Sequence, residues 1–127
     1  IDNLSTGHKK LINKKANFFK LDILDKKKLK KIINHNKIDS IIHLAANLII
    51  GEGQKKPKKY YKNNVEGTKK LLEACENTSV KNIIFSSTAA IYKEGQYIVS
   101  ENSKIEPKSV YGKTKIQAEK LKQTIDS

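Results

Sequence analysis

The residues in this chain best suited to chemistry are Tyr111 and Lys115, read together with the hydroxyl run Ser86-Ser87-Thr88. A tyrosine and a lysine four positions apart on a helix project from one face, with their side chains close together. An ammonium beside a phenol favours the phenolate, and a hydroxyl at the end of a buried strand can supply the hydrogen bond such a group needs. The combination suits removal of a proton from a sugar or alcohol hydroxyl while a nicotinamide takes the hydride.

The spacing alone carries little weight. With 5 tyrosines and 26 lysines in 127 residues, about one Tyr-x-x-x-Lys is expected by chance, and one is found. Its meaning depends on the elements that position it.

Ile1 reads as the tail of an apolar strand, followed by the polar turn Asp2-Asn3-Leu4-Ser5-Thr6-Gly7. An acid at a strand end is what an α/β nucleotide fold uses to grip a ribose diol; on these residues alone, a simple turn or helix cap is the better reading. Residues 17–23, with Phe18 and Phe19, predict a short strand. Asp25 is placed to cap a helix from Lys26 to His35, with Leu29, Ile32 and Ile33 as its inward stripe. The nearly continuous apolar run from Ile38 to Leu44 has the pattern of a parallel strand covered on both faces. His43 near its end could serve catalysis, but a hydrogen-bonded structural histidine is the preferred reading. The three histidines show no metal-ligand spacing.

Ala45-Ala46 then leaves room for a flat group to approach the backbone, and a loop leads to Lys56. Pro57 suits the first turn of a long helix, whose inner face is expected to carry Tyr61, Val65, Thr68, Leu72 and Cys75. Asn63-Asn64 is a poor helix former inside that helix, which predicts a hydrogen bond to a neighbouring strand end or loop. Residues 82–88 predict a strand that turns abruptly hydroxyl-rich at its carboxyl end. In open α/β sheets, ligands bind outside that end. Residues 89–108 read as irregular loop. A last helix is expected from about Val110 to Ile125, with Val110, Thr114, Ala118, Leu121 and Ile125 inward. The alternation predicts an α/β fold, a partial doubly wound parallel sheet of Rossmann type, in a single domain over residues 1–127.

Composition narrows the function classes. No run approaches the ~18 apolar residues of a membrane span, and no signal peptide opens the chain. The single cysteine, Cys75, excludes an internal disulfide and fits a reducing, cytoplasmic setting. A net charge of +13 invites a nucleic-acid reading, but all 26 basic residues are lysine. Base readout and bidentate phosphate contact favour arginine, so nucleic acid is not expected as a partner. The chain opens on Ile1 and contains no methionine, and it is expected to be an internal piece of a longer product.

Taken in order, Asp2-Asn3-Leu4-Ser5-Thr6-Gly7, Asp22-Ile23, His43-Leu44-Ala45-Ala46, Gly51-Glu52, Pro57 with Tyr60-Tyr61, Asn63-Asn64-Val65-Glu66-Gly67-Thr68, Phe85-Ser86-Ser87-Thr88-Ala89-Ala90-Ile91-Tyr92 and Tyr111-Gly112-Lys113-Thr114-Lys115 span nearly the whole chain. The set resembles the extended short-chain dehydrogenase/reductase family, and within it the UDP-glucose (UDP-galactose) 4-epimerases. The resemblance implies NAD-dependent epimerisation at C4 of a UDP-hexose through a 4-keto intermediate. It implies Tyr111 as acid/base, Lys115 as the cation beside it that also holds the nicotinamide ribose, and Thr88 as the hydroxyl orienting the sugar's 4-OH. Asp2 and Asn3, with Thr6 in the same turn, would contact the adenosine ribose, and Asp22 and Ile23 would flank the adenine. Leu44, Ala45 and Ala46 would pass under the cofactor, with Asn64 and Ser86 bracing it. A UDP-sugar is then the substrate, and a homodimer of the complete protein is implied through the segments around Tyr60 and Lys115. No metal is implied.

The chain departs from the family's pattern at Leu48, where the epimerases carry a substrate-holding lysine, at Lys93 in place of a glycine, and at Val110 in place of a proline. Leu48 leaves the substrate open to other nucleotide sugars, as used by related dehydratases, reductases and decarboxylases. The family's glycine-rich phosphate turn should precede the acid by ~20 residues, yet here the acid is residue 2. In the strand order 3-2-1-4-5, the central strand is then not among these residues. The expectation is two half-sheets with unpaired edges, marginal folding, poor NAD binding and no turnover by the isolated chain; a non-catalytic, decayed remnant of such an enzyme is the alternative reading.

Overall fold

Asp25, followed by good helix formers, starts the first helix. In the computed structural model, Asp25 Oδ1 accepts from the Lys28 amide at 3.1 Å, and α1 runs over Lys26–His35. Leu29 and Ile33 are buried with Leu21, Ile23, Leu71 and Ala74, and Ile32 packs against this core. The structure describes residues 1–95 and 98–125; the side chains of residues 123–125, the expected inward Ile125 among them, lie outside that description.

The Ile-rich segments form two parallel strands, β1 (Ser40–His43) and β2 (Asn82–Phe85), in register from Ser40 opposite Asn82 to His43 opposite Phe85. Between them lie α2 (Ile50–Lys55), α3 (Pro57–Tyr60), a π-helical segment Tyr61–Glu66, and α4 (Gly67–Cys75). The last helix, α5, spans Val110–Ile125. This strand–helix–strand unit with a parallel ladder is a partial Rossmann-type α/β fold. No helix among the described residues is long and apolar enough to cross a membrane.

Five expectations are corrected. Residues 17–23 do not form a strand; they contribute one parallel bridge, Asp2 to Lys20, with Asp2 N–H on the Phe19 carbonyl and Leu21 N–H on the Asp2 carbonyl. Their partner is too short, because the chain turns away at Leu4 with φ 59°. Second, the stretch 38–44 is not covered on both faces, since Ile42 is 65% exposed. The described helices pack on one face only, where His43 is buried. Third, residues 50–55 are helical rather than loop.

Fourth, the inward stripe of the long helix is shifted. Tyr60, Asn64, Gly67, Thr68, Leu71, Leu72 and Ala74 are buried, whereas Tyr61, Val65 and Cys75 are half-buried. A π segment adds a residue to a turn and rotates everything before it. The expected strand over 82–88 also stops at Phe85, because Thr88 Oγ1 accepts from Ala90 N–H at 3.2 Å and opens a 3-10 turn at Ala89–Ile91.

The β1–β2 pair and the Asp2–Lys20 bridge share no ladder among the described residues. Of the two half-sheets expected, β1–β2 is a two-stranded sheet, while the other is reduced to the single Asp2–Lys20 bridge.

Candidate active site

Helix α5 is fixed at its start by three neighbours. Ser109 Oγ accepts from Gly112 N–H at 3.0 Å, and Gln54 Oε1 of α2 accepts from Val110 N–H at 2.8 Å. These satisfy donors that a helix start leaves over. A Cβ at Gly112 would run into the Ala90 carbonyl and Pro107, so only glycine lets the loop after β2 lie this close. Tyr111 is half-buried and Lys115 buried, and α5 lies against the end of β2 through Lys115 over Phe85 and Glu119 on Ser87.

Lys115 is 4% exposed, and its Nζ lies 4.2 Å from the Phe85 ring centroid. Burial holds its ammonium below the ordinary lysine range, with Glu119 one turn on opposing the shift. The other side of this aromatic floor is His43, whose ring centroid is 5.6 Å from that of Phe85. Burial, then the charge of Lys115, pushes His43 down to about 4. Its Nε2 meets Thr68 Oγ1 at 2.9 Å, while the Thr68 proton goes to the Asn64 carbonyl at 2.6 Å. That geometry assigns the Nε2 proton to His43, a structural histidine as the sequence suggests.

Of the hydroxyl run, Ser86 is exposed and its N–H donates to the His43 carbonyl at 3.2 Å. Ser87 Oγ donates to Glu119 Oε2 at 2.8 Å, tying the strand end to α5. Thr88 Oγ1 accepts from Ala90 N–H, a bond that does not use its own O–H donor.

Asn64 sits in the π segment, 2% exposed. Its Oδ1 accepts from Asn47 N–H at 2.7 Å and from Asn63 Nδ2 at 3.0 Å. Its Nδ2 donates to the Asn47 carbonyl at 2.9 Å and to Thr114 Oγ1 at 3.0 Å. The expected bond from the Asn-Asn pair to a neighbouring loop is present, and Asn64 reaches α5 as well. Single-turn π segments recur at functional sites because they aim one side chain out of phase.

At the carboxyl end of β1, a cleft of about 210 Å³ is lined by Asp2, Asn3, Thr6, Ile23, Leu44, Ala45 and Ala46, with Leu48 at its side. Asp2 Oδ1 accepts from Leu4 N–H at 2.6 Å, and a Cβ at Gly7 would stand 3.0 Å from the Asp2 carboxylate. Asn3 Nδ2 donates to Asp22 Oδ2 at 2.9 Å, so Asp22 orients Asn3. Ile23 belongs mainly to the core, its tip against Gly67. An acid at a strand end beside small residues fits the ribose end of a dinucleotide; amides that would hold a pyrophosphate on a glycine-rich turn are not in this sequence. Tyr111, Lys115, Thr88, Ser86 and Asn64 do not line this cleft.

Three residues were not singled out from sequence: Gln54, Asn47 and Glu119. Glu119 alone had a readable signal, lying four positions after Lys115 on the same helix face.

The NAD dependent epimerase/dehydratase family matches over residues 1–127. The chain is 41% identical over 122 residues to the UDP-glucose 4-epimerase of Lactobacillus helveticus, covering 95% of this chain and 37% of that protein. It superimposes on the UDP-Glc/GlcNAc 4-epimerase of Campylobacter jejuni with a TM-score of 0.91 at 37% identity, covering 98% of this chain and 40% of the other. The UDP-glucose 4-epimerase of Brucella ovis in complex with NAD gives 0.89 at 40% identity, covering 94% and 37%. The chain thus spans a little over a third of the length of the proteins it matches.

Proposed function

Since the chain belongs to the NAD dependent epimerase/dehydratase family, we propose that it is the catalytic stretch of an NAD-dependent UDP-hexose 4-epimerase. The observation that supports this reading is the docking of α5 on the end of β2, with Lys115 over the Phe85 ring and Glu119 bonded to Ser87. In this reading Tyr111 takes the proton of the sugar's 4-hydroxyl and returns it after the sugar has turned over. Thr88, with an O–H donor left for a ligand, orients that hydroxyl. Lys115 supplies positive charge from a buried position, where charge acts more strongly than in water, and also holds the nicotinamide ribose. When bound, NAD supplies the acceptor and then the donor of the C4 hydride.

The remaining assignments follow the cleft. Asp2, Asn3 and Thr6 meet the adenosine ribose, and an acid there favours NAD over NADP. Asp22 and Ile23 flank the adenine; Leu44, Ala45 and Ala46 pass beneath the cofactor. Asn64 and Ser86 brace it through the backbone they hold. The chain is one partial NAD-binding domain acting in a cytoplasmic protein on a UDP-sugar, without nucleic acid or membrane partners. A homodimer would use outward residues near Tyr60 and Lys115, since those two side chains are themselves buried. Leu48, 65% exposed beside the cleft, favours one second reading: a related nucleotide-sugar dehydratase or reductase.

The test is a graft in which residues 1–127 replace their counterpart in the Lactobacillus helveticus enzyme. Interconversion of UDP-galactose and UDP-glucose supports the proposal. A folded, NAD-loaded graft that turns over neither sugar contradicts it.

A further inference from the structure

A buried ammonium needs compensation, because burial disfavours its charge. Among the described residues Lys115 is the only buried lysine, and it enters no ion pair. The Phe85 ring, 4.2 Å from Nζ, attracts a cation but carries no charge. His43, packed on the same ring, stays neutral above about 4.

The charges on the elements packed against α5 are engaged elsewhere or face solvent. Glu52 of α2 is bonded to Lys59 and Tyr60, and Glu73 of α4 pairs with Lys26 and Lys70. Glu66 is exposed, as are Lys55, Lys58, Lys59, Lys62 and Lys69. The turn at Ala89–Ile91 carries no charge. On α5 itself, Tyr111 and Glu119 lie one turn before and one turn after Lys115, on its own face. Glu119 opposes the effect of burial on Lys115, but it is already tied: Oε2 accepts from Ser87 Oγ at 2.8 Å. Ser87 is in turn held by its neighbour, since Ser86 N–H donates to the His43 carbonyl.

We infer that Ser87 and Glu119 are a positioning pair for Lys115. The hydroxyl holds the carboxylate near enough to be the countercharge of the buried ammonium, yet out of an ion pair with it. The ammonium's three donors are thereby left for the site. This rests on reading Lys115 as the active-site cation beside Tyr111.

The test follows Lys115 by carbon-13 NMR of ε-labelled lysines in the graft, its signal identified through Lys115→Arg. Glu119→Gln keeps an acceptor for Ser87 and removes the charge, so the Lys115 titration midpoint should fall by about one pH unit. Ser87→Ala frees the carboxylate to pair directly, so the midpoint should rise by about half a unit. A role in packing alone would move both variants upward, as water reaches the ammonium. An unmoved or raised midpoint in Glu119→Gln overturns the inference, and so does an unmoved or lowered one in Ser87→Ala. Either variant can overturn it without the other. The titration is read without turnover, so failure here and failure of the epimerase reading are separable.

Discussion

Asn64 Nδ2 donates to Thr114 Oγ1 at 3.0 Å, joining the π segment to α5 across 50 positions of sequence. The same amide holds both backbone groups of Asn47, so one side chain fixes the loop after β1 and α5 together. Replacing it strands several buried polar groups. Asn64→Leu is expected to cost about 2–4 kcal/mol in the graft, and Thr114→Val about 1. Urea unfolding measures both; equal small losses would show that Asn64 is not the centre of the network.

Gly67 is held to glycine by Ile23. A Cβ there would lie 2.5 Å from Ile23 Cδ1. Overpacking of that kind costs about 1–3 kcal/mol, against a helix-propensity gain of about 1 for Gly→Ala. Gly67→Ala should therefore lower the thermal midpoint, and Ile23→Val, which removes Cδ1, should restore part of it. A strictly additive double mutant would remove the contact from the account.

Stability should fall with acid through His43. The group stays neutral in the fold down to about 4, whereas the unfolded chain takes the proton near 6.5. Its contribution is complete above pH 6.5 and is lost as pH drops from there toward 4, by about 1.4 kcal/mol per unit. His43→Gln should flatten this slope between pH 6.5 and 5, above the carboxylate range. An unchanged slope in the variant would place the titrating group elsewhere.

The 127-residue chain alone is expected to bind NAD no tighter than roughly millimolar. It offers the ribose-end carboxylate of Asp2, but among its residues there is no glycine-rich turn whose amides would meet the pyrophosphate. Calorimetric titration decides this, and micromolar binding would contradict it.

Local signals made part of this structure legible. Asp25 and the Leu29, Ile32, Ile33 stripe specify α1, and the hydroxyl run marks the end of β2. His43 is a structural histidine because a buried ring beside Thr68 must be hydrogen-bonded. What depends on partners was not legible. One added residue in a helical turn leaves propensity unchanged, so the π segment and its shifted stripe stayed hidden. Gly51 and Gly53 disguised α2 as loop, and with it the Gln54 contact to α5. The Phe18-Phe19 segment has strand composition, but its neighbour supplies only Asp2 for pairing. Composition likewise gives no sign that Ile42 is uncovered on its outer face.

The central claim is that Tyr111 moves the proton. The direct measurement is turnover of UDP-galactose by the graft carrying Tyr111→Phe, with bound NAD assayed in the same sample. Turnover should fall by about 10²–10⁴-fold while NAD content is retained, because only the proton-transfer group is removed. Unchanged turnover with NAD bound would contradict the account.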